Sequence, residues 1–167
     1  SRGAYVLEHI PAGFKRAVFQ YFGEEILAGL PDAVRQFLIR TSIFDIIEPG
    51  LLRARQGEDD ARRILAELER KNLFVTSTYD DNNERLFRYH QLFRDFLRAR
   101  LSAELTEAEQ RLLYLEGGRF YEKRGELGRS VRFFLEAEAY ERAAGVIERI
   151  GMDFLNAGRK RTLTEWI

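Results

Sequence analysis

The 167-residue sequence contains no cysteine and only two histidines. The lack of cysteine excludes disulfide bonds and thiolate metal sites, and two histidines alone would leave a zinc site dependent on carboxylates at an uncommon spacing. No run of about 18 apolar residues occurs, so no segment is expected to span a membrane. The first residues also lack the basic and then apolar layout of a signal peptide. These absences predict a cytoplasmic protein without a metal site.

The sequence also lacks an excess of either charge, because 27 Lys and Arg residues balance 27 Asp and Glu residues. A protein that binds nucleic acid by itself usually shows a basic excess, since it must neutralise phosphates. Three prolines interrupt the chain, which favours long helices. With 45% hydrophobic and 32% charged residues, the composition is that of a globular protein with a real core and a solvated surface.

The motifs of several enzyme classes are missing as well. The sequence holds no G-x-x-x-x-G-K-[ST] loop, H-E-x-x-H pair, nucleophile elbow or dinucleotide fingerprint, so it cannot cradle a triphosphate in the usual way. Acidic pairs such as Glu24-Glu25 and Asp59-Asp60 lie at predicted helix starts or on exposed faces, where carboxylates usually serve as caps or face solvent. We therefore predict that the chain is not an enzyme and holds no cofactor of its own.

Apolar residues recur at intervals of three and four along the first half of the chain, which predicts three main helices. Residues 1–17 are expected to be the tail of a preceding module or a linker, with a turn at 11–13. A further short helix is expected through Leu51 and Leu52. The predicted apolar stripes are Phe22, Ile26, Leu27 and Leu30; Val34, Phe37, Leu38 and Thr41; and Ala61, Ile64, Leu65 and Leu68. In the third helix, the outward positions are expected to be Glu67, Glu69, Arg70 and Lys71.

The hydrophobic period then changes from helix to strand. Residues 73–79 are rich in β-formers, residues 80–83 form a turn cluster, and residues 86–89 resume strand character. A helix follows from about His90 to Glu104. Three helices and a β-hairpin describe a winged-helix unit, which we place at residues 18–105. The expected fold class is mainly α, with a winged-helix unit containing one hairpin, followed by tetratricopeptide-like antiparallel helices.

The last third of the sequence, residues 106–167, is helical and repeats with a period of 33 residues. It opens with a capping box at Thr106. Two glycines and the residues around them recur: Tyr114, Gly118, Tyr121, Gly125 and Phe134 correspond to Ile147, Gly151, Phe154, Gly158 and Ile167. Small, aromatic and small residues also occupy Ser130, Phe134 and Ala137. This spacing resembles the tetratricopeptide repeat, although the usual closing proline is missing. We interpret the segment as the start of a longer, truncated repeat array.

One residue stands apart as a candidate binding residue. His90 lies where a strand passes into a helix, and a helix N-terminus offers unpaired N–H groups and a partial positive charge. A histidine at such a position can donate a hydrogen bond to a phosphate alongside those groups. The alternative interpretation is that His90 only caps the helix or packs beside Tyr89.

Residues 86–101, which read LFRYHQLFRDFLRARL, resemble the end of the winged-helix domain of large LuxR-type, maltose-activator-like regulators of the STAND class of signalling ATPases. The resemblance extends to most of the chain, through residues 21–27, 37–43, 65–74, 137–144 and 163–167. The family pattern has methionine, histidine and aspartate at residues 89–91. Here the triplet is Tyr89-His90-Gln91, so only the histidine carries over.

The resemblance implies a nucleotide-dependent switch. An upstream domain of the same chain would hold ADP at rest and ATP when active, and His90 would contact the ADP phosphate. The helical repeats would sense an inducer or a partner protein. DNA would be bound only by a helix-turn-helix domain outside this chain.

Two other functions fit parts of the pattern. In a DNA-binding winged helix, residues 60–72 would enter the major groove and present Arg62, Arg63, Arg70 and Lys71. The acidic tip of the hairpin, Asp80-Asp81, and the neutral overall charge argue against it. In a protein-interaction scaffold without a nucleotide, the repeats would present exposed arginines on their solvated helix faces, namely Arg119, Arg124, Arg129 and Arg132.

Overall fold

A computed structural model describes residues 12–48, 58–71 and 74–156. Its elements, from the amino end, are α1 (Ala12–Tyr21), a π-helical segment (Phe22–Leu27), α2 (Asp32–Thr41), α3 (Glu58–Arg70), β1 (Val75–Tyr79), β2 (Arg85–Tyr89), α4 (Gln91–Glu104), α5 (Glu107–Lys123), α6 (Leu127–Glu136) and α7 (Tyr140–Asn156). The predicted fold class is confirmed: a helical domain with one hairpin precedes a stack of helices. Within the described residues, no helix is both long and apolar enough to cross a bilayer.

The chain divides into two compact units between Glu104 and Leu105. The division lies one residue before the predicted end of the winged-helix unit. At the other end of that unit, α1 runs through the boundary predicted between residues 17 and 18. That boundary therefore falls inside a helix.

The core of the first unit is built from the apolar stripes that the sequence predicts. On α2 the buried residues include Phe37, Leu38 and Thr41, and on α3 they are Ala61, Leu65 and Leu68. Each of these helices therefore buries one face, as the three- and four-residue spacing requires. The predicted short helix through Leu51 and Leu52 lies outside the described residues.

The hairpin forms directly after α3, as predicted. Its strands pair antiparallel with Val75 opposite Tyr89 and Tyr79 opposite Arg85. The turn is closed by Asp80, whose Oδ1 accepts the N–H groups of Asn82 and Glu84 at 2.9 and 2.7 Å. An isolated bridge between Ile47 and Phe87 adds a short third segment beside β2.

Two boundaries differ from the sequence-based prediction. The turn expected at residues 11–13 is wrong, since Ala12 and Gly13 already belong to α1. Pro11 lies outside the described residues. The first strand starts at Val75 and excludes Phe74, whose positive φ of 58° lies outside strand geometry, while residue 73 lies outside the described residues.

One outward position predicted on α3 is also wrong. The side chain of Glu69 is 28% exposed and turns toward the hairpin. It accepts hydrogen bonds from the N–H and the hydroxyl of Ser77 at 3.0 and 2.8 Å, and it pairs with Arg85. Burial opposes ionisation of this group, but the hydrogen bonds from Ser77 and the charge of Arg85 outweigh it, so the pKa of Glu69 lies below its ordinary value.

The second unit begins with the predicted capping box. The Thr106 hydroxyl accepts the Glu109 N–H at 3.3 Å, and the Glu109 carboxylate accepts the Thr106 N–H at 2.9 Å. The helix α5 ends before Gly125, which has a φ of +73°. A buried cluster forms between the helices from Phe134, Ala143 and Val146.

Gly118, one of the two glycines of the predicted repeat, is where α5 and α6 approach each other closely. A Cβ at this position would lie 2.5 Å from Cδ1 of Phe134, and Ser130 donates a hydrogen bond to the Gly118 carbonyl at 3.0 Å. The ring and the hydroxyl of α6 therefore sit directly on the backbone of α5. The predicted equivalents Gly158 and Ile167 lie outside the described residues.

We expect Gly118→Ala to destabilise the protein by about 1–3 kcal/mol, because the added methyl group overpacks the contact with Phe134. This loss should exceed the gain of about 1 kcal/mol in helix propensity. Chemical denaturation measures the effect. Gly128→Ala is the control, since no heavy atom of the described residues lies within 4 Å of its Cβ. Equal stabilities of the two variants would contradict the close approach.

We expect Glu69→Gln to weaken the hairpin and to flatten the acid dependence of stability. The pKa of Glu69 is lowered in the folded state. The ionised carboxylate therefore contributes fully to the free energy of unfolding above the ordinary glutamate pKa of about 4.3, and this contribution is lost as the pH falls through the folded-state pKa. Urea midpoints at neutral and acidic pH test this. The control is Glu67→Gln, which removes only an exposed pair with Lys71. A Glu67 variant with the larger effect would contradict the assignment.

Candidate functional site at the hairpin-to-helix junction

The backbone of His90 is held on both sides of the junction. Its N–H donates to the carbonyl of Phe74 at 2.8 Å, and its carbonyl accepts the N–H of Arg94 at 2.9 Å, which is the first bond of α4. The side chain of His90 is nevertheless exposed. The ring of Phe74 lies beside it, with 6.4 Å between the ring centroids. The imidazole therefore rests on one aromatic neighbour and faces solvent.

The start of α4 supplies further hydrogen-bond donors. The N–H groups of the first turn, residues 91–93, precede the first intrahelical bond and carry the positive end of the helix dipole. Such a terminus favours an anionic group, and the exposed imidazole of His90 adds a donor at the same end. The junction can thus bind an anion that another molecule or domain presents.

Strand alternation sets the direction of His90. Tyr89 is 3% exposed and Phe87 is 1% exposed, whereas Arg88 lies on the solvent side. Successive strand residues point to opposite faces, so a fixed Tyr89 turns the next residue outward. The interpretation that His90 merely packs beside Tyr89 is therefore not favoured.

The Tyr89 hydroxyl is fixed by one buried partner. It lies 2.6 Å from Oγ1 of Thr41, and Oγ1 lies 2.7 Å from the carbonyl of Phe37. The proton of Thr41 is directed to that carbonyl, so Tyr89 donates to Thr41. Burial raises the pKa of Tyr89 well above its ordinary value.

An aromatic cluster lies under the junction. The ring of Phe22 has its centroid 4.9 Å from that of Phe74 and 5.3 Å from that of Phe93, and Phe93 contacts Phe74 at 5.7 Å and Tyr89 at 5.9 Å. Edge-to-face and tilted contacts of this kind contribute about 0.5–1.5 kcal/mol each beyond area burial. They hold Phe74 in its positive-φ conformation, where its carbonyl receives the His90 N–H.

Two arginines of α4 contact the loop after α2. Arg98 donates to the carbonyls of Ser42 and Ile43 at 3.2 and 3.1 Å, and Arg94 pairs with Asp45. The only signal in the sequence is their four-residue spacing, which puts both on one side of α4. The loop and α4 are therefore joined by charged groups near the junction.

Two of the four cations proposed for a DNA contact form ion pairs with acidic neighbours. Arg63 pairs with Asp60 at 3.0 Å and Lys71 pairs with Glu67 at 2.7 Å. The acidic residues Asp80 and Asp81 lie at the tip of the hairpin, and the carboxylate of Asp80 accepts hydrogen bonds from backbone N–H groups of that turn. No observation on α3 favours a nucleic-acid surface.

The arginines considered for a protein scaffold are likewise occupied in part. Arg124 and Arg129 both pair with Glu126, at 3.1 and 2.9 Å. Arg124 also lies over the ring of Phe120, and Arg129 over that of Tyr121. Across the described ranges, no group of three or more histidine or acidic side chains could hold a metal ion.

We expect Thr41→Val to cost more stability than Tyr89→Phe. Thr41→Val leaves the buried Tyr89 hydroxyl without its acceptor, which should lower the free energy of unfolding by about 1–3 kcal/mol. Tyr89→Phe removes the donor but leaves the hydrogen bond from Thr41 to Phe37 in place, so it should lower the free energy of unfolding by about 0.5–1.5 kcal/mol. Denaturation of both variants and of the double variant measures the difference. The double variant should recover part of the Thr41→Val loss. A larger loss in Tyr89→Phe would contradict the donor assignment.

Comparison with known proteins places the chain in a family. The family described as MalT winged helix domain matches residues 23–110, or 88 of the 167 residues. The serine/threonine-protein kinase PknK of Mycobacterium tuberculosis (strain CDC 1551 / Oshkosh) is 30% identical over 142 residues, which cover 83% of this chain and 12% of PknK.

Two regulators named HTH-type transcriptional regulator MalT are also similar. That of Vibrio cholerae is 27% identical over 146 residues, covering 87% of this chain and 16% of the regulator. That of Yersinia pestis (strain Pestoides F) is 37% identical over 86 residues, which cover 52% of this chain and 9% of the regulator. The chain thus spans less than a fifth of these relatives. On its matched residues and its hairpin-bearing helical fold, the chain belongs to the MalT winged helix domain family.

Proposed function

We propose that this chain is the regulatory segment of a larger, cytoplasmic, ATP-dependent signalling protein of the STAND type. Its winged-helix unit senses ADP or ATP bound by an upstream domain of the same protein. Its helical repeats relay the binding of an inducer or a partner protein. The observation that carries the proposal is the exposed imidazole of His90 at the start of α4, on a backbone held at both ends.

The relatives support a regulatory rather than an output role. One is named a serine/threonine-protein kinase and others are named transcriptional regulators, yet the same segment is present in both. Because the segment is shared by a kinase and by transcriptional regulators, it fits a regulatory step that comes before either activity. DNA is accordingly contacted only by a domain outside this chain.

The chemistry of the junction suits a phosphate held by another domain. The imidazole and the first amides of α4 are hydrogen-bond donors at the same end of this helix, and the helix dipole there favours a negative group. Because the His90 backbone is bonded to Phe74 and Arg94, a contact made by its ring bears on the whole winged-helix unit rather than on a loose loop. A contact made only in the ADP-bound resting state would stabilise that state.

The test uses the full-length protein that carries the upstream nucleotide-binding domain. His90→Ala should weaken ADP binding about tenfold or more, since a hydrogen bond to a charged group contributes about 1.5–3 kcal/mol. Calorimetric titration with ADP measures the affinity. The variant should also show greater output in the absence of inducer, because the resting state is less stable.

The matched control is Tyr79→Ser, at the far end of the same hairpin, where the side chain is exposed. It should leave ADP affinity unchanged and thereby report any general disturbance of the wing. Unchanged ADP affinity in His90→Ala, with the fold intact by circular dichroism, would show that the role of His90 is wrong. An equal loss in both variants would point to the hairpin instead.

A further inference from the structure

The outer face of the hairpin carries a second cationic side chain beside His90. Arg88 stands opposite Thr76 in the strand register, and both residues are exposed. Tyr89 is buried between Arg88 and His90, so strand alternation turns both of its neighbours outward. Because a strand rises about 3.3 Å per residue, Arg88 and His90 leave this face about 7 Å apart. A guanidinium and an imidazole therefore project from successive outward positions.

Arg88 differs from the other arginines of its segment. Residues 85–100 contain five arginines. The other four are engaged within the first unit: Arg85 with Glu69, Arg94 with Asp45, Arg98 with the carbonyls of Ser42 and Ile43, and Arg100 with Glu104. The guanidinium of Arg88 forms neither an ion pair nor a hydrogen bond with any residue that the structure describes. Its charge is therefore available to a group outside this unit.

The surroundings of Arg88 leave that charge uncompensated on a fixed backbone. The strands at 75–79 and 85–89 contain no acidic residue. Glu84 lies four residues before Arg88, about 13 Å along an extended strand. The two strand neighbours of Arg88, Phe87 and Tyr89, are buried in the core and hold its main chain in place. The complement of this face is therefore an anion presented from outside.

We propose that Arg88 is a second phosphate-binding residue, which contacts the same ADP phosphate as His90. This inference rests on the proposed function of His90. A guanidinium stays charged at neutral pH, and its planar fork donates two parallel hydrogen bonds to phosphate oxygens. Arg88 thus supplies charge and His90 a further donor to one anion. As part of the resting state, the contact adds to the affinity for ADP and not to that for ATP.

The test uses the full-length protein that carries the upstream nucleotide-binding domain. Arg88→Gln keeps a polar side chain but removes the charge. It should weaken ADP binding about tenfold or more, because a hydrogen bond to a charged group contributes that much to an equilibrium constant. ATP affinity should stay unchanged. Calorimetric titration with each nucleotide measures both affinities. Since the side chain is exposed, the thermal midpoint of unfolding should also stay unchanged.

The matched control is Arg100→Gln, the same substitution at another exposed arginine of the first unit. Arg100 lies about 15 Å along α4 from His90, and it should leave ADP affinity unchanged. Equal losses of ADP and ATP affinity in Arg88→Gln would overturn the proposal, because the arginine would then hold the upstream domain rather than the resting-state phosphate.

A double variant, Arg88→Gln with His90→Ala, tests whether the two side chains share one phosphate. Its loss of ADP affinity should be smaller than the product of the two single losses, since contacts to one group are coupled. Losses that multiply independently would overturn the shared contact. Weaker ADP binding in His90→Ala, with full affinity in Arg88→Gln, would overturn the role of Arg88 alone. Full affinity in both single variants would overturn the proposed function as well.

Discussion

The buried hydrogen bond between Tyr89 and Thr41 fixes strand β2 to helix α2, and the junction depends on it. Both side chains are almost fully enclosed, and the two hydroxyls are 2.6 Å apart. Since neighbouring strand residues alternate in direction, an inward Tyr89 leaves His90 outward. A buried hydroxyl that loses its partner is costly, so this contact favours one register of the hairpin.

The junction also holds backbone strain. Phe74 has a φ of 58°, a conformation that costs a bulky residue about 1–3 kcal/mol. Its ring contacts Phe22 and Phe93, and such aromatic pairs contribute about 0.5–1.5 kcal/mol each. The packing can therefore offset the strain. What the strained residue provides is a carbonyl aimed at the N–H of His90, 2.8 Å away.

Local sequence patterns predicted much of the fold, because they act over few residues. The stripe on α3, the turn at Asp80, the capping box at Thr106 and the approach at Gly118 all follow from spacing and side-chain size. The change of hydrophobic period from strand to helix predicts the position of His90 between the two elements. Its role came from a resemblance and from the physics of helix ends, and it stays a prediction.

The missed features depend on partners distant in sequence. Glu69 was placed on an outer face, yet it binds Ser77 and Arg85 across the hairpin. Arg98 bonds carbonyls 55 and 56 residues earlier. A helical pattern tells which positions are apolar, but not which polar ones meet another element. The positive φ of Phe74 has no signal either, since that conformation is imposed by the cluster around its ring.

The magnitudes set a limit on what His90 alone can do. A hydrogen bond to a charged group contributes about 1.5–3 kcal/mol, which is about ten- to a hundredfold in an equilibrium constant. Moving a two-state protein from 1:99 to 99:1 takes about 5.5 kcal/mol. A nucleotide-dependent switch built on this junction therefore needs further contacts that differ between its states. The rigid attachment of His90 to β2 and α4 is what would let those contacts act together, because a unit that moves as one body adds their free energies.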